Sequence, residues 1–276
     1  MIKNFKEQVK LNDGHNIPKL GLGVWQATHE QVSIAVREAI QHGYRLIDTA
    51  SIYGNEEGVG IGIKESGIDR NDIFVTTKVW NDAHGEIATI DALEKSLERL
   101  KLDYIDLYLV HWPTPRIDKY VETWKTLIKL KEKGFIGSIG VSNFNEDHLR
   151  RLKNETGIVP TINQLEVHPY FQQQKLRSVN KELNIQTQSW SPLAQNLAIE
   201  DDVIKEISLK YGKTKAQIII RWHLQNDLIL IPKTVTPSRI KDNFDVFDFE
   251  LEIDDLNKVG LLDRGERLGP DPELFE

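Results

Sequence analysis

The sequence predicts a single (β/α)8 barrel, and three observations support this fold class. The chain has 276 residues, a usual length for one eight-stranded α/β barrel. Eight short runs of apolar and β-branched residues alternate with amphipathic segments of helical period. No linker, repeat or low-complexity stretch divides the chain, so residues 1–276 are expected to form one domain.

The eight apolar runs are each of strand length and predict buried parallel strands. They cover residues 20–25, 45–49, 73–79, 104–112, 136–142, 161–167, 185–190 and 228–232. Residues 8–18 predict a β-hairpin, because Asn12-Asp13-Gly14 is typical of a tight turn. This hairpin is expected to cap the floor of the barrel.

The first helix is predicted from about Thr28 to His42, and each of its ends carries a recognisable residue pattern. Thr28 and Gln31 have the spacing of a capping box, and Gly43 ends the helix. Further helices are predicted at residues 56–66, 88–100, 119–133, 146–155, 173–183 and 237–243, with two more inside 200–224 that separate near Gly212. Helices between all the strands favour a barrel.

Several other classes of protein are disfavoured. A doubly wound nucleotide-binding sheet would need a G-x-G-x-x-G fingerprint, and the glycines at 21, 23, 58, 60 and 62 have the wrong spacing. The net charge of −7 argues against a nucleic-acid partner. With no cysteine, disulfides and a thiol nucleophile are excluded. Without a signal peptide or spanning segment, we expect a cytoplasmic protein with no membrane partner, and without a heptad pattern a monomer.

Four polar residues lie at the carboxyl ends of predicted strands, where barrel enzymes place their chemistry. They are Asp48, Tyr53, Lys78 and His111. A hydride delivered to a carbonyl carbon leaves charge on the oxygen, and Tyr53 could protonate that oxygen. Lys78 is expected to lower the pKa of Tyr53, with Asp48 orienting Lys78 and His111 donating a hydrogen bond to the carbonyl. Each residue alone has a structural explanation, but all four at one rim favour catalysis.

Several longer motifs identify a family. They are GYRLIDTA at 43–50 followed by Tyr53, TK at 77–78, LVHWP at 109–113, GVSNF at 140–144, NQ at 163–164 with HP at 168–169, SPL at 191–193 and IPK at 231–233. Over essentially its whole length the chain resembles the aldo-keto reductase family. With RLGPDP at 267–272, it is most similar to bacterial 2,5-diketo-D-gluconate and methylglyoxal reductases.

The resemblance implies a catalytic tetrad of Asp48, Tyr53, Lys78 and His111. It also implies NADPH (NADP⁺ when oxidised), bound extended across the mouth of the barrel. The nicotinamide carboxamide would be held by Ser142, Asn143 and Gln164, and Trp190 would stack on the nicotinamide ring. The pyrophosphate path would be lined by Ser191, Leu193 and Gln195. The adenosine end would be held by Lys233, Thr234, Arg239 and Asn243.

Residues 233–239 give physical support for a phosphate site. This segment supplies two cations and several hydroxyls beside a helix start, which suits the 2′-phosphate and favours NADPH over NADH. A solvated turn with a helix cap is the alternative for the segment by itself.

Three tryptophans are candidates for the walls of the substrate site. Trp25, Trp80 and Trp112 lie at or just beyond strand ends, beside His111, although packed core residues are the alternative. The loop after His111 and the segment beyond Asp263 are short. We therefore expect an open, shallow site for small aldehydes, 2-oxoaldehydes and possible keto-sugar acid substrates.

Two alternative functions differ in class from a reductase. Glu166 and His168, with Asp48 and His111, could form a metal-dependent hydrolase site, but no metal-binding spacing supports one, so no metal is expected. An NADPH-binding regulatory or structural module without physiological turnover is the other alternative. Turnover of a small aldehyde would distinguish an enzyme from such a module.

Overall fold

The computed structural model describes residues 8–276 and contains two sheets. The first is an antiparallel hairpin of β1 (Gln8–Lys10) and β2 (Asn16–Pro18). The second has eight parallel strands in chain order. They are β3 (Leu22–Gly23), β4 (Leu46–Asp48), β5 (Phe74–Val79), β6 (Ile105–Val110), β7 (Ile136–Ser142), β8 (Ile162–Glu166), β9 (Gln186–Trp190) and β10 (Ile229–Leu230).

Backbone hydrogen bonds between the first and last strands close the barrel. The Gly21 amide donates to the Leu230 carbonyl at 2.9 Å, and the Leu230 amide donates to the Lys19 carbonyl at 2.8 Å. The predicted strands at 20–25 and 228–232 extend beyond β3 and β10. Leu20, for example, lies outside β3 and pairs with Leu230 only through a single bridge. The predicted (β/α)8 barrel is confirmed.

Ten helices lie among residues 8–276. They are α1 (His29–Gln41), α2 (Glu56–Ser66), α3 (Glu86–Leu100), α4 (Tyr120–Glu132), α5 (Glu146–Thr156), α6 (Gln174–Glu182), α7 (Asp202–Tyr211), α8 (Lys215–Gln225), α9 (Pro237–Phe244) and α10 (Ile253–Gly260). The capping box of Thr28 and Gln31 is present, and Gly212 separates α7 from α8 in a left-handed conformation. Helix α10 was not among the predicted helices. In this part of the chain no helix is long and apolar enough to cross a bilayer.

The hairpin closes the barrel floor, as predicted. Leu11 and Ile17 are buried in one cluster with apolar residues from the lower parts of the strands, including Leu46, Ile162 and Ile229. The Asn12 side-chain amide donates to the carbonyls of residues 160 and 184, just before β8 and β9, at 2.9 and 3.0 Å. The hairpin therefore covers the floor of the barrel, and the carboxyl ends of the strands form its open mouth. The single-domain prediction includes residues 1–7, which lie outside the described residues, and it stays a prediction.

Candidate active site

A buried ion pair lies at the centre of the barrel mouth. Asp48 ends β4 and Lys78 lies on β5, and both side chains are almost fully buried. Lys78 Nζ donates to Asp48 Oδ1 at 2.5 Å and to the Thr49 carbonyl at 2.7 Å. Burial raises the pKa of Asp48 and lowers the pKa of Lys78, and their mutual attraction opposes both shifts. Removing either partner would leave an uncompensated buried charge, so the pair acts as a unit.

Tyr53 lies directly against this pair. It ends a 3-10 turn, Ser51–Tyr53, that follows β4. Lys78 Nζ is 5.2 Å from the centroid of the Tyr53 ring. The His111 ring, which follows β6, meets the Tyr53 ring edge-on with centroids 5.8 Å apart. The structure thus brings together all four residues predicted as the tetrad.

The expected lowering of the Tyr53 pKa by Lys78 is wrong. Burial, and then the negative charge of Asp48, raise the pKa of Tyr53 above its ordinary value. The physical reason is that desolvation of a buried phenolate and the negative charge of Asp48 outweigh the attraction of the Lys78 ammonium. Tyr53 therefore keeps its proton at neutral pH, and it can give it up only to a strongly basic group such as a developing alkoxide.

His111 is neutral and has one defined role in hydrogen bonding. Burial, and then the nearby charge of Lys78, hold the pKa of His111 well below its ordinary value. Its Nδ1 is buried and has no hydrogen-bond partner in the described part of the chain. Because an orphaned N–H is rarer in proteins than an unpaired acceptor, we assign the proton to Nε2. Nε2–H is then the group with which His111 can donate a hydrogen bond into the cleft.

Three polar side chains form a network next to the ion pair. Gln164 Nε2 donates to Asp48 Oδ2 at 2.7 Å, across the barrel from β8 to β4. Ser142 Oγ donates to the Gln164 carbonyl at 2.9 Å, and Asn143 Nδ2 donates to Ser142 Oγ at 3.0 Å. Asn143 Oδ1 accepts from Trp190 Nε1 at 2.9 Å. The network fixes the orientation of Trp190 relative to the ion pair.

These residues line a cleft of about 540 Å³, within the usual range for small-ligand sites. Many of the residues that line this cleft were predicted from the sequence as site residues. Among the predicted residues, the lining includes Trp25, Asp48, Tyr53, Trp80, His111, Trp112, Ser142, Asn143, Gln164, Trp190, Ser191, Gln195 and Lys233. Lys78 is fully buried and reaches the cleft only through its partners.

Four predicted cofactor residues do not line the cleft. Leu193 packs against the core, and Thr234 is buried and accepts a hydrogen bond from the Thr236 amide. On α9, Arg239 is exposed and Asn243 is buried. Their roles at the adenosine end of a cofactor remain predictions.

The segment after α10, residues 264–276, is termed the tail, and its part in the site was missed from the sequence. Its residues Leu268, Gly269, Pro270 and Phe275 line the cleft. The Phe275 ring packs against Trp112 with centroids 4.5 Å apart. The tail therefore covers one side of a site that was expected to be open. The Gly-Pro pair within the RLGPDP motif was the available indication of an ordered turn here.

Glu166 fastens the tail to the barrel. Its two carboxylate oxygens accept hydrogen bonds from the Leu268 and Gly269 amides at 2.7 and 2.9 Å. His168 Nε2 lies 3.0 Å from the same carboxylate. These contacts occupy the residues considered for a metal site, and residues 8–276 contain no cluster of three or more His, Cys, Asp or Glu side chains suited to a metal.

Comparison with known proteins identifies the family. A model described as the aldo/keto reductase family matches residues 19–263. The chain belongs to this family. It is 55% identical over 269 residues to a methylglyoxal reductase, DkgA, of Escherichia coli K12, covering 97% of each chain.

Solved structures agree with this family. A Gox0644 mutant in complex with NADPH is 46% identical, with a TM-score of 0.94 and 98% of each chain covered. A Bombyx mori aldo-keto reductase in complex with NADP is 36% identical, with a TM-score of 0.90, covering 95% of this chain and 94% of that one.

The predicted family and fold are thus confirmed. The protein is an oxidoreductase of the aldo-keto reductase family, and carbonyl reduction is its general activity.

Proposed function

We propose that this aldo-keto reductase reduces small, uncharged aldehydes and 2-oxoaldehydes such as methylglyoxal, using NADPH, with Tyr53 as the proton donor. One observation carries the proposal. Protonated Tyr53 and neutral His111 face the same cleft, directly above the buried Lys78–Asp48 pair. A proton donor and a hydrogen-bond donor can therefore reach one carbonyl oxygen.

The residues present fit a nicotinamide cofactor. Trp190 offers an aromatic face that is fixed by its hydrogen bond to Asn143. Gln164 Oε1 accepts no hydrogen bond from the described part of the protein and lies in a residue that lines the cleft, so it suits a carboxamide N–H group. When bound, NADPH supplies the hydride. Ser142, Asn143 and Gln164 would hold the carboxamide. The pyrophosphate would lie along Ser191, Leu193 and Gln195. The adenosine 2′-phosphate would be held by Lys233, Thr234, Arg239 and Asn243.

The protein side of the reaction is a proton transfer. As the substrate oxygen gains negative charge, its basicity comes to exceed that of the tyrosine, and the proton moves from the Tyr53 hydroxyl to that oxygen. The Lys78 ammonium then stabilises the phenolate, because it lies 5.2 Å from the ring centroid. His111 Nε2–H donates to the same oxygen and orients the carbonyl.

The lining of the cleft favours uncharged substrates. Near Tyr53 it is largely apolar, with Ile52, Trp80, Trp112 and Phe275. Among the described residues of the lining, Lys233 is the only Lys or Arg side chain, and it belongs to the proposed cofactor set. A sugar-acid carboxylate would thus be desolvated without a dedicated cation, which is costly. This favours methylglyoxal-like substrates over keto-sugar acids, in line with the name of the Escherichia coli relative.

The decisive experiment compares wild type with Tyr53→Phe for NADPH oxidation in the presence of methylglyoxal. We expect kcat to fall by roughly 10²–10⁴, the usual worth of general acid catalysis, with NADPH affinity nearly unchanged. Tyr104→Phe is the matched control, since that ring packs against Arg70 away from the cleft. Near-normal turnover by Tyr53→Phe would remove Tyr53 from the donor role.

A second outcome would favour the other class of function. If wild type binds NADPH but turns over none of a panel of small carbonyls, a regulatory or structural module would replace the proposed reductase. A cytoplasmic location and a monomeric state remain predictions from the sequence.

A further inference from the structure

A buried glutamine inside the barrel has no part in the site as described so far. Gln188 lies on β9 and is fully buried. In the strand register it is the direct partner of Gln164 on β8. Its Oε1 accepts a hydrogen bond from Gln164 Nε2 at 2.8 Å, while its own Nε2 has no partner among residues 8–276.

The chemistry of the neighbours fixes the orientation of both amides. The ionised carboxylate of Asp48 can only accept hydrogen bonds, so the Gln164 atom at 2.7 Å from it must be the nitrogen. The second proton of that nitrogen points at Gln188, so the facing atom of Gln188 must be oxygen. Gln164 Oε1 is then left as an acceptor without a partner among the residues that the structure describes.

The other amide of the network is already engaged. Asn143 Nδ2 donates to the His111 carbonyl and to Ser142 Oγ, and its Oδ1 accepts from Trp190. Asn143 Oδ1 already accepts one hydrogen bond, whereas Gln164 Oε1 accepts none among the described residues, so Gln164 Oε1 is the acceptor that keeps both lone pairs for a ligand.

We propose that Gln188 is a positioning residue, which holds the Gln164 amide so that Oε1 is presented to the cleft as the acceptor for the cofactor carboxamide. The proposal rests on the proposed NADPH-dependent function. Without an acceptor at position 188, one N–H of Gln164 would be buried and unpaired, which is unfavourable. The Gln164 amide is then held by the Asp48 contact alone and can turn about that one hydrogen bond, so Oε1 is no longer fixed toward the cleft.

Two variants of Gln188 distinguish a role as hydrogen-bond acceptor from a role in packing. Gln188→Met preserves volume but removes the acceptor. Gln188→Glu keeps an oxygen facing Gln164 in either protonation state of the carboxyl, and it loses no hydrogen bond to the described residues because Nε2 made none to them. A role in packing alone would not separate the two variants in the way that a role as acceptor does.

The test measures binding of NADP⁺ and of its 3-acetylpyridine analogue, in which a methyl group replaces the carboxamide NH₂. Quenching of tryptophan fluorescence gives both dissociation constants, and thermal unfolding shows whether each variant is folded. Wild type should prefer NADP⁺ by roughly tenfold, about one hydrogen bond. Gln188→Met should reduce the preference to about twofold or less, through weaker binding of NADP⁺, and Gln188→Glu should retain it.

Each other result of this binding test refutes a specific part of the proposal. If Gln188→Met weakens both ligands equally, or changes neither, Gln188 does not position Gln164. Loss of the preference in Gln188→Glu as well would refute the acceptor role. A wild type that binds both ligands equally would refute Gln164 as the carboxamide partner. A wild type that binds neither would refute the proposed function itself.

Discussion

A single methyl group added at Gly269 should open the cleft. An alanine Cβ there would lie 2.4 Å from Trp190 Cη2 and 3.0 Å from Glu166 Oε2. Neither side chain can easily move, because Trp190 is hydrogen-bonded to Asn143 and Glu166 is hydrogen-bonded to His168. The tail is the segment that can move, and its movement takes Phe275 away from the substrate wall.

The size of the effect follows from the cost of overpacking, about 1–3 kcal/mol. If the tail lifts to relieve it, the closed cleft is disfavoured by that amount, which corresponds to about 5- to 150-fold. We expect the KM of Gly269→Ala for methylglyoxal to rise within this range, with little change in Tm because the tail lies outside the barrel.

The assay is steady-state NADPH oxidation across methylglyoxal concentrations, together with thermal unfolding. Gly260→Ala on α10 is the matched control, because a Cβ there meets nothing within 4 Å. An unchanged KM in Gly269→Ala, or an equal rise in Gly260→Ala, would refute the view that the tail forms a wall of the site.

Two further predictions concern the cofactor and pH. Arg239→Ala should weaken NADPH binding by about 10- to 100-fold, the worth of a charged hydrogen bond, and should weaken NADH binding far less. Lys241→Ala, which is also exposed on α9, is the control. Equal weakening of both cofactors by Arg239→Ala would exclude a contact with the 2′-phosphate. Burial lowers the pKa of both His84 and His223 to about 4, whereas the unfolded chain takes up these protons below about pH 6.5. The free energy of unfolding should therefore decrease as pH falls through this window, by up to about 3 kcal/mol per histidine. Denaturant unfolding should show a shallower pH dependence in His84→Gln, and an unchanged slope would contradict this account.

Where the sequence was sufficient, a local pattern was enough to fix the structure. Thr28 and Gln31 predict a capping box because both partners lie within one helical turn. Asp48 and His111 could be placed at one rim because parallel strands all end at the same edge of a barrel. This is why the positions of the four tetrad residues were predictable.

Where the sequence was insufficient, distant segments decide the outcome. Nothing near Gly269 in sequence shows that it packs against Trp190, since the tail crosses the cleft only in the folded chain. Gln188 sits within a strand that also carries other polar residues, so its contact with Gln164 could not be read from the pattern. The pKa of Tyr53 likewise depends on burial and on which residue Lys78 pairs with, and neither is visible in a motif.

Closure of the barrel also has a consequence for the order of events during synthesis. Residues 19–23 leave the ribosome long before residues 230–233, with which they form backbone hydrogen bonds. The Asn12 side chain likewise cannot form its hydrogen bonds until the carbonyls of residues 160 and 184 have been synthesised. Until then, the first barrel strand has one edge with unpaired backbone groups, which can join another chain. A nascent chain stalled before β10 should therefore be prone to aggregation, and synthesis of β10 allows the barrel to close.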